Sequence, residues 1–171
     1  MTEEVVIPSI IVEELKKKGL NPEDAILNAL MKVINLDPST MMEARMELAI
    51  KYLNEGRELI DRDPVQASEK LYKAAEESVK ALAQYYDLKN IPSKVSEGGR
   101  WTVTELEKVV ETVSEKLGDW LVRSWDVANY LHVWGFHEAK LDPEAVRIRY
   151  PYIERIVNEI NRIIKTRLEQ T

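Results

Sequence analysis

The polar side chains best suited to chemistry lie in an apolar stretch between residues 120 and 137. Four of them recur at helical spacing among tryptophans and aliphatic residues: Arg123, Asp126, Asn129 and His132. Because an unpaired polar group is costly in such surroundings, each needs a partner. The ordinary interpretation is an internal network in which residues three apart pair, arginine with aspartate and asparagine with histidine. The alternative is a site at a helix-lined cleft or a dimer interface, where His132 would titrate near neutral pH.

A metal site is not predicted from these residues. His132 and His137 are five positions apart, which on an α-helix places them about 140° from each other rather than on one face. The chain has no cysteine and no third histidine, so only carboxylates remain as metal ligands. We therefore expect no metal and no cofactor.

The framework that positions these residues is predicted to be entirely helical. Four dipeptides pair a capping side chain with a first-turn proline: Asn21-Pro22, Asp37-Pro38, Asp63-Pro64 and Asp142-Pro143. Each predicts the start of a helix. The connection between the third and fourth helices, at Arg62, is so short that these helices should be antiparallel neighbours. Gly56, within the third helix, is expected at a close helix crossing.

Further helices follow from other signals. They are a first helix from Ser9 to Lys18, a fifth from a Thr102 capping box to about Leu117, a sixth from an Asp119 cap to about Gly135, and a terminal helix in which Pro151 is either the first residue or a kink after Pro143. One long loop is expected from Asp87 to Arg100, where anion binding by residues 96–100 is a minor alternative.

The fourth helix, Asp63 to Tyr86, is the predicted centre of the bundle. Its apolar face is rich in alanine, and its other face carries two acid-base pairs at i, i+4 spacing, Glu69 with Lys73 and Glu76 with Lys80. That charged face is expected to be solvated. If a groove lies on that side, Tyr72, Lys73 and Glu76 would line it.

The sixth helix is apolar on nearly all sides and should be buried on most of them. It carries three of the four tryptophans, a residue type favoured at interface centres. We therefore predict a homodimer that uses this helix or the N-terminal arm. The alternative is a monomer in which other helices cover the sixth completely.

Length and charge limit the function classes. With 171 residues, 44% of them apolar, the chain suits one domain. A net charge of -6 argues against general nucleic-acid binding, so RNA is not a favoured partner. No run approaches the roughly 20 apolar residues that span a bilayer, and we expect a cytoplasmic protein without membrane contact.

Two segments carry a family resemblance. QASEKLYKAAEESVKALA at residues 66–83 and YLHVWGFHEAKLD at residues 130–142 resemble the archaeal paralogous-repeat (PaREP) proteins, which are related to the HEPN superfamily. The resemblance implies an antiparallel helical bundle, often dimeric, that binds nucleotides or a partner nucleotidyltransferase. HEPN ribonucleases carry an arginine and a histidine with four to six residues between them, near one end of a helix. Here eight residues separate Arg123 from His132, which puts them on opposite sides of one helix and about 13 Å apart along it.

We therefore predict an all-α, up-and-down, HEPN-like helical bundle over residues 37–171, with a two-helix N-terminal arm over residues 1–36 packed on the same domain. The leading hypothesis is a non-catalytic binding module for a nucleotide or a partner nucleotidyltransferase. Its candidate binding residues are Tyr72, Lys73, Glu76, Asp126, Asn129, His132 and His137. One alternative is a metal-independent ribonuclease with His132 and Arg123 as weak catalytic candidates. Another is a helical protein that pairs chains through the arm, Met41 and Met42.

Overall fold

The computed structural model describes residues 3–88 and 101–169, and within these ranges every regular element is a helix. The α-helices are α1 (Ser9–Lys17), α2 (Pro22–Ile34), α3 (Pro38–Leu59), α4 (Pro64–Tyr85), α5 (Val103–Leu117), α6 (Trp120–Tyr130), α7 (Pro143–Arg147) and α8 (Tyr150–Leu168). A π-helical segment, Leu131–His137, continues α6 directly. The prediction of an all-α bundle is confirmed.

The helix starts follow the chemistry of their first residues. The side chains of Asp37, Asp63 and Asp142 each accept hydrogen bonds from free backbone amides of the first turn. Thr102 and Glu105 form the complete capping box. Asp119 occupies the N-cap position of α6 as predicted, but its side chain makes no capping bond and instead pairs with Arg123.

Helix α4 is the centre of the bundle. It contacts α3, α5, α6, the π-helical segment, α7 and α8. The crossing with α3 is close at Gly56, where an added Cβ would lie 2.8 Å from the Leu71 side chain. Since glycine has no side chain, it lets the two backbones approach, as predicted for this position.

The charged face of α4 was predicted to be solvated, and this prediction was wrong. Lys80 is fully buried, and Glu77, which contacts Arg45 of α3, is nearly so. Glu77 accepts hydrogen bonds from Lys80 Nζ at 2.9 Å and from Arg45 at 2.8 Å, and Arg45 is itself buried. The predicted pair of Glu76 and Lys80 is present at 3.3 Å. These residues, called here the buried ion cluster, place two positive and two negative charges at the junction of α3 and α4.

The C-terminal third departs from the prediction at one point. The sixth helix is α-helical only to Tyr130 and then widens into the π-helical segment, so an α-helix to Gly135 was wrong. Downstream, α7 is a separate short helix, and Pro151 lies in the first turn of α8 rather than at a kink. A proline is tolerated there because first-turn amides need no partner within the helix.

Many apolar side chains of the N-terminal arm are exposed. No residue of α1 is buried, and Val33 of α2 is 82% exposed. The arm approaches the bundle where Glu23 lies 3.6 Å from Lys73. Met42 is buried in the core, which contradicts its expected place on an interaction surface. The division into an arm of residues 1–36 and a bundle of residues 37–171 stays a prediction.

The remaining sequence predictions concern the loop and the membrane. The loop expected up to Arg100 lies, from residue 89 onward, outside the described residues, and so does the minor anion site within it. In the described part of the chain, no helix is both long enough and apolar enough to cross a membrane.

The buried ion cluster predicts how stability depends on pH. Burial by itself raises the pKa of the Glu77 carboxyl, but the charges and hydrogen bonds of Lys80 and Arg45 outweigh it and lower the pKa to about 2. A pKa lowered on folding means that the stabilisation is complete above the carboxyl's unfolded-state pKa. It is lost progressively as the pH falls from about 5 towards 2.

We expect Glu77→Gln to lower the free energy of unfolding at pH 7 by about 3 kcal/mol or more, because two buried cations lose their anion. Urea unfolding at pH 7, 5 and 3 measures the difference from the wild type, which should shrink towards pH 3. Glu111→Gln, at an exposed ion pair on α5, is the control and should change stability by less than about 1 kcal/mol. A difference that is constant with pH would contradict the assignment.

Candidate functional site

The candidate site lies where α4 faces the π-helical segment. Glu69 and Tyr72 are three residues apart on α4 and therefore share one face. The His132 ring stacks on the Tyr72 ring, with centroids 4.0 Å apart and planes inclined by 23°. His132 Nδ1 lies 2.9 Å from the Glu69 carboxylate. One carboxylate and one aromatic ring thus fix the orientation of this imidazole.

The π-helical segment brings the second histidine to the same place. In a π-helix the backbone bonds join residues five apart, as seen where the Glu138 amide donates to the Val133 carbonyl at 2.9 Å. Residues five apart are then neighbours, and His137 Nε2 lies 3.1 Å from His132 Nε2. The prediction that these histidines face different directions was wrong because it assumed α-helical geometry.

Gly135 allows the π-helical segment to lie against α4. A Cβ at this position would lie 2.5 Å from Ser68 Cβ and 3.3 Å from Leu141. Only glycine fits without movement of a neighbour. Ser68 is buried and donates its hydroxyl to the Pro64 carbonyl of its own helix, so it has little room to move. The close contact therefore sets the depth at which the segment packs.

The three ionisable residues form a hydrogen-bonded array from the interior to the surface. The Glu69 and His132 side chains are 17% and 25% exposed, whereas His137 is exposed. A carboxylate at Nδ1 favours the His132 tautomer with the proton on Nδ1, which leaves a lone pair on Nε2. His137 can donate a hydrogen bond from its Nε2–H group to that lone pair. The array of Glu69, His132 and His137, called here the Glu-His-His array, has the connectivity of a proton relay.

Aromatic rings form the remainder of the site. Tyr72 is buried and packs 6.0 Å from Trp125, whose indole donates to Glu107 at 2.7 Å. Phe136 is half-buried and its ring centre lies 5.1 Å from that of His137. The surface beside the Glu-His-His array is thus aromatic and anchored to the core.

The structure divides the residues predicted from the sequence. It brings together Tyr72, His132 and His137. Lys73 instead faces α3, 5.6 Å from the Tyr52 ring centre, and Glu76 joins the buried ion cluster. These two residues therefore lie away from the histidines.

The polar residues of α6 also differ from the expected network. Arg123 and Asp126 are exposed, and Arg123 pairs with Asp119 at 2.7 Å rather than with Asp126. Asn129 is half-buried, and His132 takes Glu69 and His137 as partners instead of Asn129. Arg123 is therefore one end of a surface ion pair near the start of α6, remote from His132.

Sequence reasoning missed Glu69 and Phe136. Glu69 was assigned to Lys73 because their i, i+4 spacing is ideal, but tertiary contact with His132 prevails. Phe136 follows His132 by four positions, and that spacing was the available signal for it. Within residues 3–88 and 101–169, no group of three or more histidine, aspartate or glutamate side chains is arranged to hold a metal ion.

The structure is thus an all-α protein in which the Glu69 carboxylate of α4 meets the two imidazoles of the π-helical segment. The chain belongs to the archaeal PaREP1/PaREP8 family, whose sequence profile matches residues 44–157. Both segments that suggested this family lie within the matched range, and the resemblance to the PaREP family is confirmed. The relation to the HEPN superfamily stays a prediction.

A solved structure supports the same fold. The crystal structure of a Sulfolobus solfataricus protein is 34% identical in sequence, with a TM-score of 0.61. The match covers 67% of this chain and 93% of that protein. No curated protein matches the chain.

Gly135→Ala tests how the site is positioned. We expect it to lower the free energy of unfolding by about 1–3 kcal/mol, because the new methyl group overlaps Ser68. Urea unfolding measures this cost. Made in a Ser68→Gly background, which removes the overlapping atoms, the same change should cost at least about 1 kcal/mol less. Equal costs in both backgrounds would show that the contact does not limit the approach.

Proposed function

We propose that this chain is a non-catalytic, HEPN-like binding module that holds a nucleotide at the surface formed by His132, Phe136 and His137, which the buried Tyr72 supports from below. The observation that carries the proposal is the pairing of His132 with His137 beside stacked aromatic rings. Imidazole N–H groups donate to phosphate oxygens, and aromatic rings stack on bases. Such a module would act in the cytoplasm.

The charge distribution favours a small ligand over a long nucleic acid. A chain with a net charge of -6 has little capacity to neutralise many phosphates at once. One or two phosphates beside His137 require only local donors. In the partner form of the proposal, the module binds a nucleotidyltransferase, which presents its bound nucleotide to this surface.

Isothermal titration with AMP, ADP, ATP and GTP, in buffer containing chelator, tests the binding module. We expect one nucleotide to bind per chain. His137→Ala should weaken that binding at least tenfold, or about 1.4 kcal/mol, because it removes an exposed donor without opening the core. Arg123→Ala is the matched control, since it removes an exposed cation that pairs with Asp119 away from the site.

Nucleotide binding that is unchanged in His137→Ala would contradict the assignment of the surface. If no nucleotide binds, titration with a purified nucleotidyltransferase domain decides between the two forms. Binding that His137→Ala weakens supports the partner form. Absence of both interactions would refute the binding module.

A second candidate function is ribonuclease activity, and the Glu-His-His array is the observation that favours it. His137 faces solvent and contacts His132, which the Glu69 carboxylate orients. The free ring nitrogen of His137 could therefore accept a proton from an RNA 2'-hydroxyl. The HEPN arrangement would also need an arginine at the phosphate. Arg123 pairs with Asp119 instead, so an arginine would have to come from a second chain.

We expect wild-type protein to leave mixed RNA intact in chelator, as a non-catalytic module should. Gel analysis of RNA incubated with wild type, His137→Ala and His132→Ala makes the comparison. Cleavage by the wild type that both variants lose would overturn the non-catalytic assignment and establish the ribonuclease. Cleavage that persists equally in all three indicates a contaminating nuclease.

Self-association is the remaining part of the proposal. Tyr130, at the end of α6, and Val133 and Trp134, in the π-helical segment, are exposed, and the Arg149 guanidinium stacks 4.2 Å from the Tyr130 ring centre. Tryptophan, tyrosine and arginine are the residue types that dominate interface energetics. We propose that this aromatic patch meets its equivalent in a second copy about a two-fold axis.

Light scattering at micromolar concentration should give twice the monomer mass for the wild type. Trp134→Asp should give the monomer mass, because it places a charge in the interface. Val33→Asp, on the exposed face of α2, is the control and should remain dimeric. The reverse outcome would assign the interface to the N-terminal arm, and a monomeric wild type would exclude the dimer.

A further inference from the structure

The two histidines face each other through the nitrogens that metal ions bind. His132 Nε2 and His137 Nε2 are 3.1 Å apart, and the two ring planes are inclined by 80°. When two imidazole nitrogens bind one tetrahedral Zn²⁺ at 2.0–2.1 Å, they lie roughly 3.3–3.4 Å apart. The observed separation is thus within a few tenths of an ångström of a shared-ligand geometry. His137 is exposed, and a shift of a few tenths of an ångström in its ring would complete that geometry.

The Glu69 carboxylate contacts the other ring nitrogen of His132, where an outer-shell group of a metal site would lie. Histidines that bind metal ions usually donate their second ring N–H to a carboxylate or a carbonyl. The Glu69 carboxylate lies 2.9 Å from His132 Nδ1 and is largely buried. It fixes the proton on Nδ1 and so directs the Nε2 lone pair of His132 towards His137. Its negative charge also favours a cation between the rings.

We propose that His132 and His137, each with its proton on Nδ1, bind one divalent transition-metal ion through the lone pairs of their Nε2 atoms, with Glu69 as the outer-shell carboxylate. Metal binding therefore replaces the hydrogen bond between the two Nε2 atoms. Zn²⁺ and Co²⁺ suit the site because imidazole is a good ligand for both and neither needs a thiolate. The two remaining tetrahedral positions would be filled by water. The site does not depend on nucleotide binding.

Two protein ligands place the expected affinity in a moderate range. Closed structural zinc sites use four protein ligands and catalytic sites three, so a two-histidine site keeps two exchangeable positions. Such positions can accept an oxygen from a phosphate or a carboxylate. The predicted occupant is therefore an exchangeable ion at the surface rather than one required for folding.

Metal titration of the full chain, produced without a histidine tag and stripped with chelator that is then removed, tests the site. These are the only two histidines in the sequence, so imidazole binding at any other position is excluded. We expect calorimetry to show one Zn²⁺ per chain, and Co²⁺ to give the visible absorption of a bound tetrahedral ion. His137→Ala should weaken binding at least tenfold and abolish the Co²⁺ absorption.

Glu69→Gln distinguishes an outer-shell role from mere proximity. It keeps both ligands and should weaken Zn²⁺ binding by about 10- to 100-fold, as the loss of an outer-shell carboxylate does elsewhere. Glu138→Gln, an exposed acid next to His137, is the matched control and should leave binding unchanged. His137→Ala removes an exposed side chain and will fold even if Glu69→Gln does not.

The proposal is overturned if wild-type protein shows no saturable Zn²⁺ binding at 1:1 stoichiometry, or if His137→Ala binds Zn²⁺ as tightly as wild type. The facing nitrogens would then be a hydrogen-bonded pair only. Nucleotide titrations are made in chelator and metal titrations without nucleotide. Failure of one therefore leaves the other result intact.

Discussion

The enclosure of α4 is the constraint on which the rest of this structure depends. A helix contacted by six other elements must let several backbones approach at once, and the buried positions of α4 are accordingly rich in alanine and serine. Enclosure also removes water from side chains that an isolated helix would solvate. Lys80 and Glu77 are retained there only because Arg45 and Glu76 complete their charge balance.

The same enclosure determines the candidate site. Ser68, Glu69 and Tyr72 belong to one face of α4, and each receives a different part of the π-helical segment. Ser68 receives the bare backbone of Gly135, Glu69 the Nδ1 of His132, and Tyr72 the ring of His132. The packing of Gly135 on Ser68 and the contact of His132 with Glu69 therefore both depend on how the π-helical segment lies against α4. A change in how closely the segment packs would alter the orientation of the imidazole.

Most of the fold and about half of the candidate site could be predicted from the sequence. Capping pairs such as Asp37 with Pro38, and the capping box at Thr102, are local signals, and the helices they predicted begin where expected. The burial of Lys80 could not be predicted, because i, i+4 spacing describes a helix surface and not what covers it. The pairing of His132 with Glu69 joins residues 63 positions apart and leaves no local pattern. The closeness of His132 to His137 was missed for a different reason, since the rotation per residue assumed for an α-helix does not hold in the segment.

The π-helical segment also bears on how related sequences should be compared. A turn closed by five residues instead of four holds one residue more than an α-helix of the same path. A family member with one residue fewer between the two histidines could therefore continue α6 as a regular α-helix with the same downstream packing, and its histidines, now four positions apart, would again be neighbours on one face. In related chains the spacing of the histidines and the type of helix must therefore be considered together, because a spacing of five pairs the imidazoles in a π-helical turn and a spacing of four pairs them in a regular α-helix.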